Sequence, residues 1–124
     1  MSTIQRILYV EDEADIQAVA KLALEMVGGF TVEVCSSGEE AMRDSEAFAP
    51  DLILLDVMMP GMDGPATLKA LREIPSLADV PMVFMTAKVQ PSEVAYFKSL
   101  GALDVIAKPF DPMTLADQVR AILK

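Results

Sequence analysis

A chain of 124 residues and 13.4 kDa is of one-domain size, and a hydrophobic content of 52% excludes wholesale disorder. Ten basic against nineteen acidic residues leave a net charge of −9, which argues against binding nucleic acid through a broad basic surface. Histidine is absent, which excludes Ser-His-Asp and Cys-His catalysis, His-ligated zinc and a phosphohistidine carried on this chain.

Five short aliphatic runs alternate with longer amphipathic ones. The first strand is expected over Arg6 to Val10. Ile16, Val19, Ala20, Ala23, Leu24 and Val27 then recur at helical spacing until Gly28-Gly29 stops the helix. A second strand over Thr31 to Cys35 leads to Ser37 and Glu40, spaced as a capping box, opening a helix to about Phe48 that Pro50 ends. The third strand, Leu52 to Leu55, is followed by Asp63-Gly64-Pro65, which opens a helix to about Glu73. The fourth strand, Pro81 to Met85, precedes a helix opened by Pro91-Ser92-Glu93, with Val94, Phe97 and Leu100 on one face before Gly101. Leu103 to Ala107 is the fifth strand. Asp111-Pro112 reads as a cap with proline at the first helical position, and Leu115, Val119, Ile122 and Leu123 form the last apolar stripe. The third and fourth strands are nearly continuous in apolar residues, as strands covered on both faces are. Five βα units with right-handed crossovers give a parallel, doubly wound sheet with helices on both sides.

The longest apolar runs, such as Leu52 to Leu55 and Val57 to Met59, fall far short of the roughly 20 residues of a membrane span. No basic segment leads into an apolar one at the N-terminus, and a lone cysteine, Cys35, excludes an internal disulfide framework. A cytoplasmic protein without membrane contact is the expectation, with Cys35 and Tyr9 as core residues. Met1 and the immediate start of the first strand point to a stand-alone protein rather than an excised piece.

Ligands of such sheets bind beyond the carboxyl ends of the strands. Glu11, Asp12 and Glu13 follow the first strand, Asp56 the third, Thr86 the fourth and Lys108-Pro109 the fifth. The third strand is the expected neighbour of the first, so Glu11, Asp12 and Asp56 converge. Carboxylates ~4–5 Å apart repel by about 3–4 kcal/mol per pair at an effective dielectric near 20, so the cluster needs cations. Lys108 supplies one charge. Oxygen ligands without histidine or thiolate favour Mg²⁺. Any one of these acids alone reads as a solvated loop residue; acids, hydroxyl and lysine together at four strand ends make a phosphoryl-transfer kit, with an aspartate as nucleophile.

The strings ILYVEDE, LILLDVMMPGMDG, VFMTA and VIAKPF resemble the receiver domain of two-component response regulators, of the single-domain chemotaxis type, over residues 1–124. The resemblance implies a flavodoxin-like five-stranded sheet of order 2-1-3-4-5. It implies that Asp56 takes a phosphoryl group from a phosphohistidine on a sensor histidine kinase or histidine phosphotransfer protein. It implies a Mg²⁺ site of Asp12, Asp56 and the Met58 backbone carbonyl, with Glu11 in or near it. Thr86 and Lys108 would contact the phosphoryl group, Lys108 preceding a cis Pro109, and the output would be a protein target on the face of the fourth helix, fifth strand and fifth helix. Two positions depart from the family pattern. Val105 stands where many receivers carry Tyr or Phe, with Tyr96 as the candidate replacement, and Glu11 is longer than the commoner Asp.

Three other readings compete. An aspartate-nucleophile phosphohydrolase needs an acid/base carboxylate where this chain has Met58. A phosphorylation-independent interaction domain of the same fold has no use for the five polar residues, and a flavin carrier would meet repulsion between its phosphate and the acids after the first strand. The reading carried forward is therefore a signalling phosphoacceptor, which assists only its own phosphorylation and dephosphorylation.

Overall fold

Period-two alternation along each strand decides which side chain meets which layer of helices. The computed structural model describes residues 5–123; Met1 lies outside them. It contains β1 (Arg6–Val10), α1 (Ala14–Leu22), β2 (Thr31–Cys35), α2 (Gly38–Phe48), β3 (Leu52–Asp56), α3 (Gly64–Arg72), β4 (Met82–Thr86), α4 (Pro91–Ser99), β5 (Asp104–Ala107) and α5 (Leu115–Ile122). The strands pair in parallel in the order β2-β1-β3-β4-β5, as expected.

On one face of the sheet Ile7, Tyr9, Leu52, Leu54, Val83, Met85 and Ile106 pack against Ala20 and Leu24 and against Leu115, Ala116 and Val119 of α5. On the other, Leu8, Val10, Ile53, Leu55, Met82 and Phe84 pack against Ala41 and Phe48 of α2, Leu68 and Leu71 of α3 and Phe97 of α4. Every residue of β3 and β4 is buried, which accounts for their unbroken apolar runs. The register pairs Val10 with both Cys35 and Leu55, Asp56 with Met85, and Thr86 with Ala107. The carboxyl ends therefore finish within two residues of one another, and their polar residues share one rim.

Several boundaries differ from the sequence expectation. β3 and β4 each run one residue further, to Asp56 and Thr86, because main-chain ladders continue through them (Val57 N to Met85 O, Lys108 N to Thr86 O). β4 begins at Met82, since Pro81 has no N–H to give the ladder. β5 begins at Asp104, with Leu103 46% exposed. The first helix ends in a π-helical turn, Ala23–Val27, before Gly28. Of its apolar series, Ala20, Ala23 and Leu24 are buried, whereas Val19 and Val27 are exposed, because the stripe is wider than the face the sheet covers. Leu100 of the fourth series is exposed too.

Ser37 accepts from the Glu40 amide, but the Glu40 carboxylate turns to the Ser36 amide and not back to Ser37, so the capping box is half formed. Asp111 closes an Asx turn on the Met113 amide, yet regular helix starts only at Leu115, after Thr114 with φ −116° and ψ −5°.

Candidate functional site

β1 carries its alternation past its end. Glu11 continues the face of Ile7 and Tyr9, and its amide still bonds the Cys35 carbonyl. Asp56 likewise continues the face of Leu52 and Leu54, and Lys108 that of Ile106. Three charged side chains from three strands thus point to the same side of the rim. Lys108 Nζ lies 2.8 Å from Glu11 Oε1 and 3.1 Å from Asp56 Oδ1. Glu11 is completely buried, Asp56 is 5% exposed, and Asp12 is exposed beside them. The Lys108–Pro109 peptide is cis.

One carboxylate oxygen each from Glu11, Asp12 and Asp56 lies within 4.8 Å of the others. At that separation each ionised pair repels by about 3 kcal/mol at an effective dielectric near 20. Three negative charges face one lysine, a deficit of two that a divalent cation matches. All the donors are hard oxygens, and Asp12 meets no hydrogen-bond donor among the described residues. The residues present fit a hard divalent metal ion.

The protonation equilibria follow the same crowding. Burial raises the pKa of Asp56 to about 6; the Glu11 charge adds to this, and the hydrogen bond from Lys108 opposes it. Burial pushes Glu11 upward as well, but bonds from Lys108, the Glu13 amide and Tyr9 outweigh it and hold its pKa below the ordinary value. Burial disfavours the charged Lys108, yet its two carboxylate partners raise its pKa overall. At neutral pH all three are charged. Burial, with the Glu11 charge, drives the Tyr9 hydroxyl strongly upward, so it keeps its proton.

Thr86 belongs to the opposite strand face, with Met82 and Phe84, and is 4% exposed. Its Oγ1 accepts the Lys88 amide at 3.1 Å. It lines an open cleft of about 610 Å³ with Val57, Met58, Met59, Lys88 and Phe97. The Met58 side chain is 71% exposed, whereas Met59 is buried against the α2–α4 side of the core. Val105 packs at the edge of the same core cluster. Tyr96 does not replace the missing aromatic: it is 57% exposed and lines a groove with Leu68, Lys69 and Leu100, away from the Thr86 cleft. Phe97 is the aromatic at that cleft.

Sequence reasoning treated Tyr9 as core alone. The ring is fully buried, but its hydroxyl also donates to Glu11 Oε1 at 3.0 Å. The signal was available, since residues i and i+2 of a strand share a face. Gln17 was missed outright; its Nε2 donates to the Glu11 carbonyl and to Ser36 Oγ, tying α1 to the β1–α1 loop. Glu33, Cys35 and Asp44 form a second group with ligand atoms within 4.8 Å, but burial, reinforced by Asp44 and Glu33, pushes the Cys35 thiol up to about 12, so it stays protonated at neutral pH.

The family model for the response regulator receiver domain matches residues 7–120. The alkaline phosphatase synthesis transcriptional regulatory protein PhoP of Bacillus subtilis is 38% identical over 120 residues, covering 97% of this chain and 49% of that protein. The DNA-binding response regulator MtrA of Mycobacterium tuberculosis is also 38% identical over 120 residues, covering 97% of this chain and 51% of its own length. The chain spans about half the length of these curated relatives. Among solved structures, the chemotaxis response regulator CheY4 of Vibrio cholerae is similar with a TM-score of 0.88 at 29% identity, over 97% of this chain and 99% of that one. No described helix is long and apolar enough to cross a membrane.

Proposed function

We propose, from the premise that this chain belongs to the response regulator receiver domain family and is a phosphoacceptor signalling domain of a two-component system, that Asp56 is the acceptor. The observation that carries this is the placement of Asp56: a carboxylate at the end of a fully buried strand, 3.1 Å from Lys108 and grouped with Glu11 and Asp12. With its pKa raised only to about 6, Asp56 is still an anion at neutral pH and can attack phosphorus. Its oxygen forms a P–O bond as the P–N bond of a phosphohistidine donor breaks, and the leaving imidazole takes up a proton.

Lys108 is already within the site and pairs with the phosphoryl oxygens, and the Thr86 hydroxyl donates to them from the other side of the rim. Glu11, Asp12, Asp56 and the Met58 carbonyl would hold Mg²⁺, which when bound supplies positive charge opposite the phosphoryl oxygens. The donor is a sensor histidine kinase or histidine phosphotransfer protein, and the output is a protein target. The face of α4, β5 and α5 is where the resemblance puts that target, and the exposed Leu103 and Met113, just before β5 and α5, support the second assignment. A cytoplasmic place, where such donors are met, belongs to the same reading. The phosphohydrolase reading lacks its acid/base carboxylate, since Met58 occupies that position.

The test is intact-protein mass after incubation with acetyl phosphate and Mg²⁺. One added phosphoryl group is expected, and none in Asp56→Asn; a wild type that never gains it, or an Asn variant that gains it equally, overturns the assignment.

A further inference from the structure

Glu11 Oε1 has two donors of different character. Lys108 reaches it at 2.8 Å from a long, rotatable side chain that also serves Asp56. Tyr9 reaches it at 3.0 Å from a ring locked in the core of β1, fully buried among Ile7, Leu24 and Leu54 of the same cluster. The Tyr9 hydroxyl has Glu11 as its one side-chain partner among the described residues. Oε2 receives only the Glu13 amide, at a long 3.3 Å, and is the oxygen left with capacity for a cation.

A carboxylate with no solvent exposure needs donors, and one left short of them is strongly disfavoured. Once a phosphoryl group on Asp56 draws Lys108 to its own oxygens, Oε1 keeps only the tyrosine. We propose that Tyr9 is a positioning residue for the metal site: its hydroxyl pins Oε1 toward the core and so presents Oε2 of Glu11 to the cation, whether or not Lys108 is engaged elsewhere. This rests on the reading of Glu11, Asp12 and Asp56 as a Mg²⁺ site. Outer partners that orient a ligating carboxylate typically matter 10–100-fold in metal affinity.

Tyr9→Phe removes the hydroxyl and keeps the ring. Ile7→Val, on the same face of the same strand, loosens the core without touching Glu11. The measurement is the dissociation constant for Mg²⁺ itself, by calorimetric titration of the full chain, with thermal melting in chelator as a separate readout. Tyr9→Phe should raise the dissociation constant by about tenfold, while Ile7→Val lowers the melting temperature and leaves the constant unchanged. Equal constants for wild type and Tyr9→Phe overturn the inference. So does an equal loss in Ile7→Val, which would assign the effect to core packing. A wild type that takes up no Mg²⁺ overturns the metal reading and this inference with it.

Discussion

Asp56 and Glu11 share Lys108 unequally, and the inequality has a measurable consequence. Glu11 collects three donors and holds its charge, whereas Asp56, buried beside that charge, has its pKa raised to about 6. A carboxyl whose pKa is higher folded than unfolded binds its proton more tightly in the native state. Its ionised form therefore destabilises the fold above pH 6, and the penalty is relieved as pH falls from 6 towards 4. Asp56→Asn keeps an oxygen for Lys108 and removes the charge. In chelator at pH 7.5 it should stabilise by about 1–3 kcal/mol, a melting-point rise of several degrees, and the gain should shrink as the pH is lowered through 6. Chemical denaturation of both proteins across that range is the check, and an Asn variant less stable than wild type at pH 7.5 would contradict the electrostatic account. These acids were legible because each falls at a strand end. The division of charge among them was not, since it depends on which carboxylate Lys108, Tyr9 and the Glu13 amide reach.

The join between β3 and α3 shows how elements set the site. Gly61 and Gly64 both fall in this join, where glycine ordinarily supplies turn geometry. Gly61 fits, with φ +74°, the left-handed region that favours glycine. Gly64 has no positive φ; a Cβ there would fall 2.6 Å from the Asp56 carbonyl oxygen, 2.8 Å from Val57 Cα and 3.1 Å from the Phe84 ring. It is small because the start of α3 rests directly on the end of the strand that carries Asp56. Gly61→Ala meets open space apart from Glu39 at 3.5 Å and carries only the left-handed backbone cost of about 1–2 kcal/mol. Gly64→Ala must move backbone, costing about 1–3 kcal/mol, and displaces Asp56 itself. Gly64→Ala should therefore slow phosphorylation by acetyl phosphate more than Gly61→Ala does, measured by mass at fixed times. If Gly61→Ala proves the slower of the two, turn conformation and not close packing governs the loop. β3 and β4 were readable from nearly unbroken apolar runs, and α2 and α3 from their caps, because those signals are local. The π-helical turn after α1, the exposure of Val19 and Val27 and the delayed start of α5 were not, because each depends on how much of a helix its neighbours cover.

Across the whole molecule, the proposed function puts chemistry and readout on opposite faces of the sheet. Strand alternation sends Glu11, Asp56 and Lys108 to the side packed by α1 and α5, and Thr86 to the side packed by α3 and α4. Only at the rim can a group on Asp56 be reached from both sides, so a hydroxyl drawn to it carries the change across to the cleft bounded by Lys88 and Phe97. On the proposed function, that would be a population shift between two arrangements, biased by the new dianion. Thr86 Oγ1 accepts from the Lys88 amide, which leaves its proton free to donate. A charge-assisted bond from it to the phosphoryl group is worth about 1.5–3 kcal/mol, tenfold or more in partner affinity. Val105, half-buried at the edge of the α2–α4 core cluster, has no large ring to move between exposed and buried positions. Thr86→Ala should therefore weaken phosphorylation-dependent partner binding by about tenfold or more while Asp56 still accepts phosphate, whereas Val105→Ala should change that dependence little. Partner affinity with and without beryllofluoride, for wild type and both variants, makes the comparison. Loss of the dependence in Val105→Ala with full retention in Thr86→Ala would mean that strand packing, and not the hydroxyl, transmits the signal.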